Sequence, residues 1–295
     1  MGLDSNGTKF LFAANAAGAS FSNTIMLGRQ NFFPDVNELQ HLFDLRKSRL
    51  SARDFLADSG DYAEKFFAWL GANEVASVDN SSYEGATFVA DLNAPFPDTL
   101  KDRFTAVFDG GCLEHIFNFP QAIKNCMEML KVGGHFLGIT PANNFCGHGF
   151  YQFSPELYFR VFCENNGFKV SAILTKEKDT WFRIMDPEEF GGRVELQNNR
   201  ATYLFVLAQK IEARAPFLHV PQQSDYARRW KEDASERPTP PASATFLRDK
   251  VRAWLPPTWK DKLRPLAATL SIRRRYACYR PINEGALLQG QLGND

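Results

Sequence analysis

The chain has few features that would tie it together covalently or seat it in a bilayer. Its five cysteines, at positions 112, 126, 146, 163 and 278, form an odd set without a Cys-x-x-Cys pair. That set gives no disulfide framework and fits reduced thiols in a cytosolic protein. Cys112-x-x-His115 and Cys146-x-His148 do pair thiols with imidazoles. Structural zinc sites, however, draw on Cys-x-x-Cys pairs, so no metal is expected. No apolar run reaches the roughly 20 residues of a membrane span. The N-terminus lacks a basic region followed by an apolar block, so no secretory signal is expected. No internal repeat is present.

Formal net charge is also absent, with 34 basic and 34 acidic residues. The balance is uneven along the chain. Residues 246–280 hold ten Lys/Arg against two Asp, a net of +8, which leaves the remainder at −8. That basic stretch is a separate compositional unit. It includes Trp254, Leu255, Trp259, Leu263 and Leu266, which beside Lys/Arg suit an interfacial helix on an anionic membrane. Packing against the chain's own acidic surface suits the same charges. Nucleic acid is not the expected partner.

What the chain does have is apolar bulk: 295 residues, 44% hydrophobic, with 27 phenylalanines gathered mainly in the first two thirds. That suits a packed α/β core. The pattern is clearest over residues 75–141. Val75-Ala76-Ser77-Val78-Asp79 reads as a short strand ending on a carboxylate, followed by the acidic turn Ala90-Asp91-Leu92-Asn93. Phe104-Thr105-Ala106-Val107-Phe108-Asp109-Gly110-Gly111 reads as a buried strand entering a glycine turn. Residues 121–130 read as a helix, and Lys131-Val132-Gly133-Gly134 leads into another strand. Strands alternating with helices predict βαβ units and a mostly parallel sheet. Ligands of such sheets sit beyond the carboxyl ends of the strands. Asp79, Asp91 and Asp109-Gly110-Gly111 fall there.

These features resemble the core of class I S-adenosylmethionine-dependent methyltransferases. The resemblance rests on the Val78-Asp79 strand end, the Asp91-Leu92 turn, the Leu113-Glu114-His115-Ile116 tetrad and the Leu130-Lys131-Val132-Gly133-Gly134 turn. Gln152-Phe153-Ser154-Pro155-Glu156-Leu157, before a helix ending at Asn166-Gly167-Phe168, adds to it. It spans about residues 24–210 and implies a Rossmann-like α/β sheet, mostly parallel with a terminal antiparallel strand. The first turn departs from the pattern: Thr24 to Leu27 leads to Gly28-Arg29-Gln30, with one glycine where the family has several and Met26 where a carboxylate is common. Ala57-Asp58-Ser59-Gly60-Asp61-Tyr62 is an alternative turn at the usual distance from Asp79, without a clear strand before it.

The resemblance implies S-adenosylmethionine as cofactor and methyl transfer to an oxygen or nitrogen of a small-molecule or saccharide acceptor. It assigns Gly28, Asp79, Asn80, Asp91, Leu92, Asp109, Gly110 and Gly111 to the cofactor, with Asp79 on the ribose and Asp91 near the adenine. For Asp79 the plain alternative is an Asx turn into the loop that begins at Asn80; for Asp91 it is a turn former. Glu114, His115 and His148 are the candidate proton acceptors, because imidazole titrates near neutral pH; shaping of the loops is the alternative. Asn143, His148 and Tyr151, in the glycine- and aromatic-rich run 143–153, are the candidate acceptor contacts. A non-catalytic binding or scaffold subunit with the same fold is the other reading, and the degenerate first turn favours it.

The expected organisation is a flexible leader over 1–21, with a short strand at Lys9 to Ala13, and a methyltransferase-like domain over 22–212. An insertion at about 46–60 is expected to cover the pocket, and the loop 186–193 to reach over the active site. A linker over 213–245 and a helical basic amphipathic appendage over 246–295 complete it. The expected location is cytoplasmic, with peripheral membrane attachment through the basic stretch.

Overall fold

The computed structural model describes residues 2–234 and 277–293. After β1 (Gly2–Leu3), α1 (Ser5–Ala16) opens on Asp4, whose carboxylate accepts the Gly7 N–H at 2.8 Å, an N-cap. Then come β2 (Asn23–Leu27), β3 (Asn31–Phe32), α2 (Val36–Leu45), α3 (Ala52–Ser59), α4 (Glu64–Trp69) and β4 (Glu74–Asp79). β5 (Phe88–Val89), β6 (Phe104–Asp109), α5 (Phe119–Met129) and β7 (Leu130–Asn143) complete the parallel half. α6 (Pro155–Val161), β8 (Phe168–Glu177), β9 (Thr180–Ile184), α7 (Pro187–Phe190), β10 (Thr202–Lys210) and α8 (Ser224–Ala234) follow. β11 (Tyr279–Ile282) and α9 (Glu284–Leu288) end the described chain.

The main sheet runs β11-β9-β8-β10-β7-β6-β2-β4-β5. β5, β4, β2, β6 and β7 are mutually parallel; β10 reverses between β7 and β8, and β9 reverses between β8 and β11. The expected mostly parallel sheet with an antiparallel closing strand is therefore present. The sheet extends further than expected, through β9 and β11. The sequence pattern places a single helix from Ser154 to Asn166. α6 instead ends at Val161, and a separate 3₁₀ turn covers Glu164–Asn166 before Gly167 in the left-handed region, φ 76°.

Two apolar cores sandwich the sheet. On one face α5 and α6 bring Ile123, Met127, Tyr158 and Phe162 onto Val107, Phe136 and Val206. On the other, α1 to α4 and α9 bring Phe10, Phe43, Phe66, Phe67 and Leu287 onto Met26, Phe108 and Leu207. Three boundary expectations are corrected here. Residues 1–21 are no flexible leader: α1 buries Phe10, Leu11, Phe12, Ala13 and Ala14, where a strand at 9–13 was expected. The 46–60 stretch is no cover for the pocket, because α3 buries Phe55 against Phe32 and Phe43. The 213–245 linker contains α8, and the end of the expected appendage is built into the domain as β11 and α9. Residues 246–276, which hold most of the basic stretch, lie outside the described residues.

α1 and α9 are joined by charge as well as by apolar contact. The buried Lys9 ammonium meets Glu284 at 2.8 Å and also pairs with Glu38. Trp181 Nε1 donates to the other Glu284 oxygen at 3.1 Å. Burial pushes the Lys9 ammonium down, but Glu284 and Glu38 outweigh this and hold it above its ordinary value. Burial likewise pushes the Glu284 carboxyl up, and Lys9, Trp181 and Lys176 bring it below the ordinary range. The raised lysine contributes stability below its ordinary pKa and loses it as pH rises through the raised value. The depressed glutamate contributes above its ordinary pKa and loses it as pH falls through the depressed value. Lys9→Met should therefore cost about 2–3 kcal/mol at neutral pH, by stranding part of a carboxylate cluster. The difference from the native chain should shrink below about pH 4, where glutamate protonates. Denaturant melts at neutral and acid pH check this, and an equal difference at both would contradict it.

Candidate functional site

The register of the parallel strands builds the site. Leu27 pairs with Val78 on one side and with Asp109 on the other. The next residues, Asp79, Gly28 and Gly110, therefore stand in one row along the carboxyl edge of β4, β2 and β6. Gly28 N donates to Val78 O at 2.8 Å, and its φ of 66° lets the chain turn out of the sheet. Gly28 lies at the end of a real strand, whereas Gly60 closes α3. The two candidate turns still meet, because Asn31 bridges Tyr62 and Ala63 N donates to Gln30 O at 3.0 Å.

Side chains occupy the Gly28 turn. The Arg29 guanidinium lies 3.8 Å from the Tyr62 ring centroid, pairs with Glu64 at 2.6 Å and donates to Glu84 O at 3.0 Å. The buried Gln30 amide donates to Leu27 O at 2.7 Å, and its oxygen lies against Gly110. A Cβ on Gly110 would stand 2.4 Å from that oxygen, so only glycine fits.

Asp79 is half-buried, and its carboxylate holds Ser81 N only loosely, at 3.4 Å. Asn80 is exposed beside it. The exposed Asp91 follows β5; Asn93 donates to it from backbone and side chain, at 2.9 and 2.8 Å, which lowers its pKa. Leu92 points into the core, and Asn125 of α5 holds this loop by donating to Leu92 O and Ala94 O. Leu92 thus anchors the loop from below.

Asp109 is fully buried and turns inward. One oxygen accepts Cys112 N at 2.8 Å and Leu113 N at 3.2 Å; the other has no hydrogen-bond partner. Burial, then the Glu114 charge, pushes its pKa up to about 8. The side chain of Asp109, one of the residues assigned to the cofactor, caps the Gly110–Gly111 turn. Glu114 is 1% exposed, and burial pushes its pKa up to about 7. Its Oε1 lies 3.4 Å from His148 Nε2, and its Oε2 has no hydrogen-bond partner. His115 and His148 are exposed, with ring centroids 5.1 Å apart; burial and then His148 lower the His115 pKa. The three candidate proton acceptors are therefore together.

They stand at a cavity of about 940 Å³. Gly110, Gly111, Glu114, His115 and His148 line its β6 side, and Asn31 and Phe33 lie beside them. Asp4, Asn6, Lys176, Lys178, Arg200 and Tyr203 form the opposite wall. The sequence reading missed that wall, since its parts come from α1, the β8–β9 hairpin and the entry to β10. The proposed acceptor residues divide. His148 lines the cavity. Asn143 instead donates to Leu196 O and Asn198, and the Tyr151 hydroxyl donates to Phe117 O at 2.7 Å. Those two brace the loop. The loop 186–193 is α7 and its exit, which pack on α8, and it does not line the cavity.

The residues present fit the cofactor that the fold implies at its nucleoside end, where Asp79 keeps accepting capacity, and along Gly110–Gly111, where backbone faces the cavity. At the Gly28 turn, side chains replace a glycine cradle. Over β5-β4-β2-β6-β7-β10-β8 the strand order, with β10 reversed between β7 and β8, is that of the class I methyltransferases, and the resemblance holds at the level of fold.

No protein-family model matches the chain, and no curated protein matches it either. Solved structures do match. The YcgJ protein of Bacillus subtilis is 11% identical over 70% of this chain and 100% of its own, at a TM-score of 0.37. A 1,6-didemethyltoxoflavin-N1-methyltransferase of Burkholderia thailandensis, solved with S-adenosylhomocysteine, is 14% identical over 68% of this chain and 79% of its own, at 0.34. A branched-chain polyamine synthase of Thermus thermophilus, with 5'-methylthioadenosine bound, is 13% identical over 74% and 58%, at 0.36. The strand order of the main sheet shows the fold. Among the described residues, no helix is long and apolar enough to cross a membrane.

The cap on the β6 turn is testable. Asp109→Ala strands two buried N–H groups and should cost about 2–4 kcal/mol. Asp109→Asn retains an acceptor oxygen and should cost less than half of that. Thermal melts decide, and equal losses in both variants would remove the capping role.

Proposed function

We propose that the chain transfers a methyl group from S-adenosylmethionine to an oxygen or nitrogen of a small-molecule or saccharide acceptor in the 940 Å³ cavity. The observation that carries this reading is the row Asp79, Gly28, Gly110 along one sheet edge, which opens at Gly110–Gly111 into that cavity. When bound, the cofactor supplies an electrophilic methyl group on a sulfonium. In this reading the Asp79 carboxylate accepts the ribose hydroxyls, with Asp91 and Asn80 beside the base. The Gly110–Gly111 backbone lets the methionine end lie close to β6. Glu114, His115 and His148 face an acceptor from the same side, where they orient its hydroxyl or amine and take up its proton. Much of the rate in such a transfer comes from holding the reacting atoms in line.

A second reading has one specific observation behind it. Arg29, tied to Glu64, Glu84 and Tyr62, fills the turn where the family uses backbone, which suits a non-catalytic subunit that keeps the fold and binds a partner. The basic stretch as a membrane contact is part of that alternative.

Isothermal titration with S-adenosylmethionine and S-adenosylhomocysteine separates the two. Micromolar binding is expected, weakened about 10- to 100-fold in Asp79→Ala through loss of charge-assisted hydrogen bonds. A folded chain that binds neither compound would sink the methyl-transfer reading in favour of the second.

A further inference from the structure

We propose that Glu114, His115 and His148 form a binding site for a divalent transition-metal ion on the β6 side of the cavity. One ligand atom from each residue lies within 4.8 Å of the other two. Glu114 Oε1 and His148 Nε2 are already 3.4 Å apart. Two ligands of a tetrahedral zinc ion, each bound at roughly 2 Å, stand about 3.3 Å apart, so only His115 must draw in. An exposed imidazole does this by a small change of rotamer.

The site is built around a fixed carboxylate. Glu114 is 1% exposed, and its Oε2 has no hydrogen-bond partner, an orphaned acceptor in the interior. Buried polar atoms are ordinarily satisfied, so such an atom calls for an explanation. A cation held by both oxygens of this carboxylate supplies one. The loop that brings His148 is fastened to the same residue: Phe150 N and Tyr151 N both donate to Glu114 O, at 2.7 and 3.2 Å. Gly149 allows that approach, since a Cβ there would stand 2.7 Å from Glu114 O, and its φ is 71°. The turn from Asp109 carries Glu114 and His115, and the loop after β7 carries His148. Two separate strand ends thus converge on one point.

The thiols are not the ligands. Cys112 is buried, and no cysteine belongs to the cluster of ligand atoms. The spacing that pairs cysteines with these histidines in the sequence therefore points to the right loops and the wrong atoms. Two imidazoles and one carboxylate suit zinc, iron or manganese and leave at least one coordination position facing the cavity. That open position suits an acceptor oxygen or nitrogen. This use of the ion rests on the methyl-transfer reading, whereas the binding of the ion does not.

The test uses the full chain, stripped with chelator. It is titrated calorimetrically with zinc chloride, and with cobalt chloride while visible absorption is recorded. One equivalent of zinc should bind, and cobalt should give the ligand-field bands of a low-coordinate nitrogen and oxygen site. His115→Ala and His148→Ala change exposed side chains and should keep the native Tm. Each should weaken zinc binding by about 100-fold or more, since even residues behind a ligand cost 10- to 100-fold. His219→Ala should bind zinc like the native chain. Glu114→Gln should also lose binding, and if it fails to fold, the two histidine variants decide. Zinc affinity equal in the native chain and in His148→Ala, or no binding to the folded native chain, would overturn the site. S-adenosylmethionine is titrated into the same samples. Metal binding without cofactor binding removes the methyl-transfer reading alone, and cofactor binding without metal binding removes this proposal alone.

Discussion

The buried Asp109 carboxylate at the end of β6 is the constraint on which the site depends. By accepting Cys112 N and Leu113 N, it folds the chain back over Gly110 and Gly111 and turns Glu114 and His115 toward the cavity. Burying such a group is costly unless hydrogen bonds repay it. The two N–H groups are bent toward it for that reason. Glu114, the next carboxylate, is also buried, and its backbone oxygen holds the loop after β7. A single interior acid at one strand end thereby sets the positions of three polar side chains from two loops.

The parallel half of the fold was legible because its code is local. The apolar runs ending at Leu27, Asp79 and Asp109 gave strands, and their register follows from burial on both faces. Ser154, Pro155 and Gly167 marked the α6 start and the turn before β8 correctly. The middle of that stretch, where the helix stops at Val161, has no comparable punctuation. α1 was illegible for the opposite reason. Its Ser, Asn, Gly and Thr at positions 5–8 carry weak helix preference, and its ammonium at Lys9 argues against burial. Both are overridden by tertiary contacts: Phe10 packs on Phe205, and Lys9 meets Glu284, 275 residues along the chain. β11 and α9 were hidden likewise, because their partners, β9 and α1, lie far from them in sequence.

The site divides along the same line. The row of Asp79, Gly28 and Gly110 follows from strand ends that are readable in order. The inward turn of Asp109 and the bracing roles of Asn143 and Tyr151 do not, because they depend on which backbone groups stand nearby in space. The far wall of the cavity comes from three segments with no shared motif. Only Glu114, His115 and His148 combine the two cases: each was marked by residue type, and the fold made them neighbours.

The departure at Gly28-Arg29-Gln30 acquires a physical meaning in this arrangement. A glycine-rich turn brings bare backbone to a ligand, and the chain after it stays pliable. Here Arg29 clamps the turn to α4 and to the loop before β5, and Gln30 fills the space up to Gly110. The β2 turn is therefore rigid through side chains and presents little free backbone. Backbone without side chains faces the cavity instead at Gly110 and Gly111. If a ligand runs from Asp79 toward the cavity, its reactive end is positioned by the β6 turn more than by the β2 turn. The same Asp109 cap that places Glu114 and His115 then also places the ligand they face, so that the two halves of the chemistry share one support.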